Sequence, residues 1–203
     1  RIMKVTISLL AFFFFASTVF ANPPTQKRVL VYTKNGKGFV HTNIASSVEA
    51  IKKIGQLNNL IVDISDDPSV MSSENLAKYN CLIFSNTNNE IFETEEQRQA
   101  FVNYIQSGGA FVGIHIASGS ERNWPWFHSM IGGLFKRHPA FQSFEIKVID
   151  KNHPSTVMLP EIWKKEDECY FMTELNPNSH VLLAADLRTV IDTEKQIYPG
   201  RVF

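Results

Sequence analysis

The sequence has 203 residues, 44% hydrophobic and 20% charged, with 20 basic side chains matched by 20 acidic ones. That length fits one domain with a substantial core. A net charge of zero supplies no basic excess of the kind nucleic acid or an anionic membrane requires, so neither is an expected partner.

Met3 to Ala21 reads as a lysine, an unbroken apolar stretch and a Val19-Phe20-Ala21 end with small outer residues. This is the layout of a secretory signal peptide over 1–21, cleaved between Ala21 and Asn22. It is shorter than the roughly 20 apolar residues of a spanning helix, and Pro23-Pro24 breaks it. The expected location is therefore periplasmic or secreted, with no stable membrane insertion after cleavage. Without Arg1 and Lys4, 18 basic residues face 20 acidic ones.

Residues 22–27 form a polar linker, and 28–203 read as one domain. Arg28-Val29-Leu30-Val31-Tyr32 is a compact apolar run that predicts a strand. Ile44, Val48, Ile51, Ile54 and Leu57, spaced by four and three, predict one face of a helix. Leu60 to Ile64 and Cys81 to Phe84 read as second and third strands. Thr94-Glu95-Glu96-Gln97 is a capping box ahead of Phe101 and Ile105, and Gly108-Gly109 stops that helix. Ala110 to Ile114 is the fourth strand.

Strands and helices that alternate, with apolar runs that hardly alternate within the strands, predict an α/β fold. The expected form is a doubly wound, mostly parallel sheet with helices on both faces. From Phe144 the texture changes: Phe144 to Ile149 alternates and His180 to Ala184 forms a later run, read as strands added at the sheet edge. Gly200-Arg201-Val202-Phe203 starts like a strand, so the chain is expected to be a fragment that lacks a final strand and helix. Cys81 opens an apolar run and reads as a buried thiol; pairing with Cys169 is left open.

Ligands of such sheets bind beyond the carboxyl ends of the strands. The loops there, 33–43, 85–93 and 114–138, contain Asn86 and four of the six histidines: His41, His115, His128 and His138. Gly113-Ile114-His115-Ile116-Ala117 resembles a tight strand-to-helix turn, which lifts one side chain over the sheet. A histidine there, in place of serine or cysteine, excludes an acyl-enzyme mechanism at that turn. Trp124 and Trp126 offer flat faces suited to sugar rings, though core packing is the commoner role for a residue such as Trp126. His128 reads as a surface helix residue, and His153 before Pro154 as a turn residue or a ligand contact. In the acidic run Glu166-Asp167-Glu168, Glu168 is the residue of interest.

These motifs, with His138-Pro139, Gln142, His153-Pro154-Ser155-Thr156 and Asp167-Glu168 with Tyr170, resemble the trehalose-utilisation (ThuA-like) family, whose fold is similar to class I glutamine amidotransferases. The resemblance spans nearly the whole mature chain. It implies sugar handling, on a disaccharide, glycoside or keto-sugar. Glutaminase activity is not implied, because His115 stands where those relatives carry a cysteine. His115 and His41 are candidate acid/base groups and Glu168 a partner carboxylate. Trp124, Trp126, His138, Gln142, His153 and Asn86 are candidate contacts to a small carbohydrate. No cofactor is assigned; zinc is conceivable at His41, His115, His138, His153 and Glu168, whose long-range spacing matches no helix-borne motif. A non-catalytic sugar-binding or accessory module is the alternative reading.

Overall fold

The computed structural model describes residues 26–194. The expected signal peptide, most of the linker and the Gly200–Phe203 strand lie outside the described residues. A four-stranded parallel sheet forms the centre, with β1 (Arg28–Tyr32), β2 (Ile61–Ser65), β3 (Cys81–Ser85) and β4 (Ala110–Ile114) in the order β2-β1-β3-β4. That order is the doubly wound arrangement in which strand-to-helix loops gather at one end. The helices are α1 (Ile44–Leu57), α2 (Ser73–Leu76), α3 (Glu95–Gln106) and α4 (Pro125–Ile131).

The unbroken apolar runs at 29–32 and 81–84 are explained by position. β1 and β3 are the central strands, so both of their faces are covered. Leu30, Tyr32, Leu82 and Phe84 point to one face and join Phe101 of α3 and Phe127 of α4 in the core cluster. Val29 and Val31 point the other way. Val62, which pairs with Val29, carries α1 against that second face through Gly55, where any side chain would collide with Val62. α3 starts at the expected capping box: Thr94 accepts from the Gln97 N–H while the Gln97 side chain accepts from the Thr94 N–H.

The C-terminal strands do not join the parallel sheet. β5 (Leu134–Arg137) pairs antiparallel with β8 (Phe171–Thr173), and β6 (Gln142–Val148) lies between β7 (Ile162–Asp167) and β9 (Leu183–Ala185). The run expected to be strand from His180 is strand only from Leu183. The Leu182 carbonyl instead accepts from Ile149 and Asp150 at a corner. Both cysteines are free thiols, and burial pushes Cys169 up to about 11.

The loops after β3 and β4 are fixed by Glu121, which is 3% exposed. Its Oε1 accepts from the N–H groups of Ile91 and Phe92 at 2.8 and 3.1 Å, and its Oε2 accepts from Arg98 Nε at 2.9 Å. Removing the carboxylate leaves three donors without their acceptor. Glu121→Ala is therefore expected to destabilise the fold by about 3 kcal/mol, read as a lower urea midpoint with an unchanged slope.

Candidate functional site

The parallel register decides what meets above the sheet. Ser85 pairs with Ile114, so the next residues, Asn86 and His115, leave adjacent strands side by side. Both are in the left-handed region, at φ 54° and 56°. Asparagine tolerates that conformation more readily than histidine, for which it costs on the order of 1 kcal/mol. The turn at His115 lifts the imidazole out of the sheet and into a ring of chain-distant groups.

His41, from the loop after β1, meets His115 edge-on with ring centroids 4.5 Å apart. Tyr170, just before β8, lies roughly parallel to His115 at 4.8 Å, with its hydroxyl 2.9 Å from Nε2. Glu168 places Oε2 3.7 Å from His115 Nε2 and Oε1 3.6 Å from His138 Nε2. His138 is stacked over Tyr170 at 5.7 Å. Four residues expected from sequence, His41, His115, His138 and Glu168, are thus gathered around a fifth, Tyr170. In the sequence, Tyr170 is marked only by the family resemblance.

The proton inventory of this cluster is short. His138 Nδ1 is 2.7 Å from the Pro139 carbonyl, which can only accept, so Nδ1 carries a proton and donates it there. Burial, then the neighbouring His41, lowers the pKa of His115 below 6.5, so its proximity to Glu168 is not an ion pair at neutral pH. A neutral His115 accepts the Tyr170 proton at Nε2. Burial first, and Glu168 second, hold the phenol well above its ordinary range and keep it protonated. Glu168 Oε2 is buried with no hydrogen bond of good geometry, although the Tyr170 hydroxyl lies close enough to feel the Glu168 carboxylate as an acceptor. The arrangement offers acceptors, a poised imidazole and one phenolic donor, which suits a ligand rich in hydroxyl groups. Among the described residues no group of three or more His, Cys, Asp or Glu is arranged to hold a metal ion.

The remaining expected residues lie elsewhere. Trp124 and Trp126 stack on each other at 5.2 Å and pack against Phe92, Phe101 and Phe127, so their faces serve the core. Gln142 clamps the chain at Ile191, accepting from its N–H and donating to its carbonyl. His153 organises its own turn by accepting from Ser155, and faces His180 at 6.1 Å. Asn86 is fully buried; its amide nitrogen donates to Ser85 and its amide oxygen has no partner. His128 is not on the surface. It is 2% exposed and bridges Glu174 Oε2 and the Glu121 carbonyl, at 2.8 and 2.9 Å. A cavity of about 300 Å³ lined by Glu90, Arg98, Glu121, Arg122 and Trp124 shares no residue with the histidine cluster. Its arginines are already bonded to Glu121, Asn88 and Asn89.

The family model described as trehalose utilisation (ThuA) matches residues 28–203. The chain belongs to the ThuA family. A ThuA-like protein from Bacteroides uniformis is 28% identical and superposes with a TM-score of 0.68, over 83% of this chain and 72% of that one. A ThuA-like protein from Parabacteroides merdae, 19% identical, shares the fold at a TM-score of 0.60 over 79% and 68% of the two chains. No curated protein matches the sequence. The cluster around His115 is assembled from segments that all lie within the ThuA match.

The depressed pKa has a definite sign. The unfolded chain takes the histidine proton near pH 6.5 before the folded chain does, so stability contributed by neutral His115 is lost as pH falls below that value. Nuclear magnetic resonance titration should place the His115 midpoint below 6.5, and His41→Ala should raise it by removing a repulsive neighbour. A midpoint above 6.5 would mean that Glu168 outweighs burial.

Proposed function

We propose that this protein is a carbohydrate-directed enzyme that uses His115 as general base and Tyr170 as proton donor at a sugar carbon next to a carbonyl. The supporting observation is the Tyr170 hydroxyl 2.9 Å from Nε2 of a neutral His115 held on a left-handed turn. The trehalose-utilisation family description points to a disaccharide, and a ring-oxidised keto form of it would carry the carbonyl that this chemistry requires. An apolar leader at Met3 to Ala21 supports action outside the cytoplasm.

Two-carboxylate glycoside hydrolysis needs a carboxyl group on each side of the scissile bond. At this site Glu168 is the carboxylate in reach of the imidazoles, and it is flanked by His115 and His138. Imidazole chemistry fits better. On binding, the Tyr170 hydroxyl turns from His115 to the carbonyl oxygen of the sugar, which frees the Nε2 lone pair. His115 takes the proton from the carbon beside the carbonyl, and the electron pair moves onto the carbonyl oxygen as an enolate stabilised by the phenol. Return of the proton to the former carbonyl carbon, with the hydroxyl proton of the neighbouring carbon passing to the enolate oxygen, gives isomerisation. Departure of a glycosidic oxygen from the adjacent carbon, protonated on leaving, gives elimination. Glu168 orients His115 and His138 and stabilises the imidazolium once it forms.

His115→Ala should lower turnover of a ring-oxidised keto-trehalose at least 100-fold, with a melting temperature close to wild type. Tyr170→Phe should lower kcat more than it raises KM. The wild-type rate should fall on acidification, with a limb below pH 6.5. Full turnover in His115→Ala would refute the role of this residue.

A further inference from the structure

Some apolar residues close in sequence to the cluster are not used by the core. Phe39 is 67% exposed, Val40 49% and Phe141 62%. Single exposed apolar residues are ordinary, but Phe39 packs on a ring of the polar cluster. Phe39 contacts His41 edge-on at 4.9 Å, and His41 in turn contacts His115. Phe141 directly precedes the Gln142–Asp167 pair, at the end of the β6–β7 ribbon where Glu168 follows.

Phe39 is held in place rather than dangling. Its carbonyl accepts from Asn88 Nδ2 at 3.2 Å, and the Gly36 N–H of the same loop donates to the Asn88 carbonyl at 2.8 Å. Gly36 lies so close to the Glu90 backbone that a side chain would collide, and Gly38, at φ +140°, lets the chain turn before Phe39. An exposed aromatic ring on an anchored loop, separated from His115 by His41, can present its face to the C–H face of a pyranose while the sugar's hydroxyls turn towards the polar cluster. The Glu168 carboxylate, whose Oε1 is 3.6 Å from His138 Nε2, supplies an acceptor there.

We propose that Phe39 is the stacking platform for a pyranose ring, a role that the core packing of Trp124 and Trp126 leaves open. This rests on the carbohydrate reading of the same site. The platform sets affinity and orientation and takes no part in proton transfer.

The test is calorimetric titration of the whole chain with trehalose, and with mannitol as an acyclic polyol that has no ring face. Wild type should bind trehalose and not mannitol. Phe39→Ala should weaken the trehalose Kd about 3- to 10-fold, and Phe39→Trp should keep it. Melting temperatures of the Phe39 variants should match wild type, since the ring is exposed. An unchanged Kd in Phe39→Ala, with turnover still lost in His115→Ala, would overturn the platform and leave the acid/base reading intact. No trehalose binding by wild type would overturn the platform, while the acid/base reading stands or falls on keto-trehalose turnover in His115→Ala. A change of oligomeric state in Phe39→Ala with an unchanged Kd would assign the ring to a protein interface and also overturn the platform.

Discussion

The side-by-side exit of β3 and β4 is the constraint from which the site follows. Pairing of Ser85 with Ile114 ends both strands at one level. The left-handed residues beyond them, Asn86 and His115, turn the chain out of the sheet together. The neighbour order persists past the strands: Asn35 bridges Asn88 and Asn89 bridges Ser120, both parallel. Glu121 fastens the same region from below by accepting from the loop after β3 and from α3. Rigid support of this kind lets a histidine occupy a costly backbone conformation without relaxing.

Around that fixed imidazole the chain assembles groups with complementary proton preferences. Burial lowers His115 and raises Tyr170, so at neutral pH the first is a free base and the second a bound acid. Pushing two neighbouring titratable groups apart in this way is how a protein obtains a base and an acid at one pH. Glu168 sits between His115 and His138 with no hydrogen bond of good geometry on Oε2. That is unfavourable for the folded chain.

The sequence revealed the parallel sheet well, because buried central strands must be apolar throughout, as at Val29 to Tyr32 and Leu82 to Phe84. The glycine-flanked turn was equally readable, since Gly113 allows close packing, with Ile131 3.0 Å from where its Cβ would be. Long-range pairings left weaker traces. β5 and β8 are short, and Leu134 meets Thr173 across a distance that no local pattern encodes. His128 resembles a polar helix residue until Glu174, 46 positions away, is placed against it. Tyr170 was visible only as a family motif, because its partner His115 is 55 positions distant. The tryptophans misdirect for a physical reason: indoles suit sugar faces and protein cores equally, and here the stacked pair packs onto Phe101 and Phe127.

Base and acid roles for His115 and Tyr170 have one direct observable, the exchange of a carbon-bound proton with solvent. Keto-trehalose incubated with the protein in deuterium oxide should acquire deuterium at the carbon beside the ketone, followed by nuclear magnetic resonance, and His115→Ala should abolish the exchange. Exchange at the same rate with and without His115, or none with the intact protein, would contradict the account.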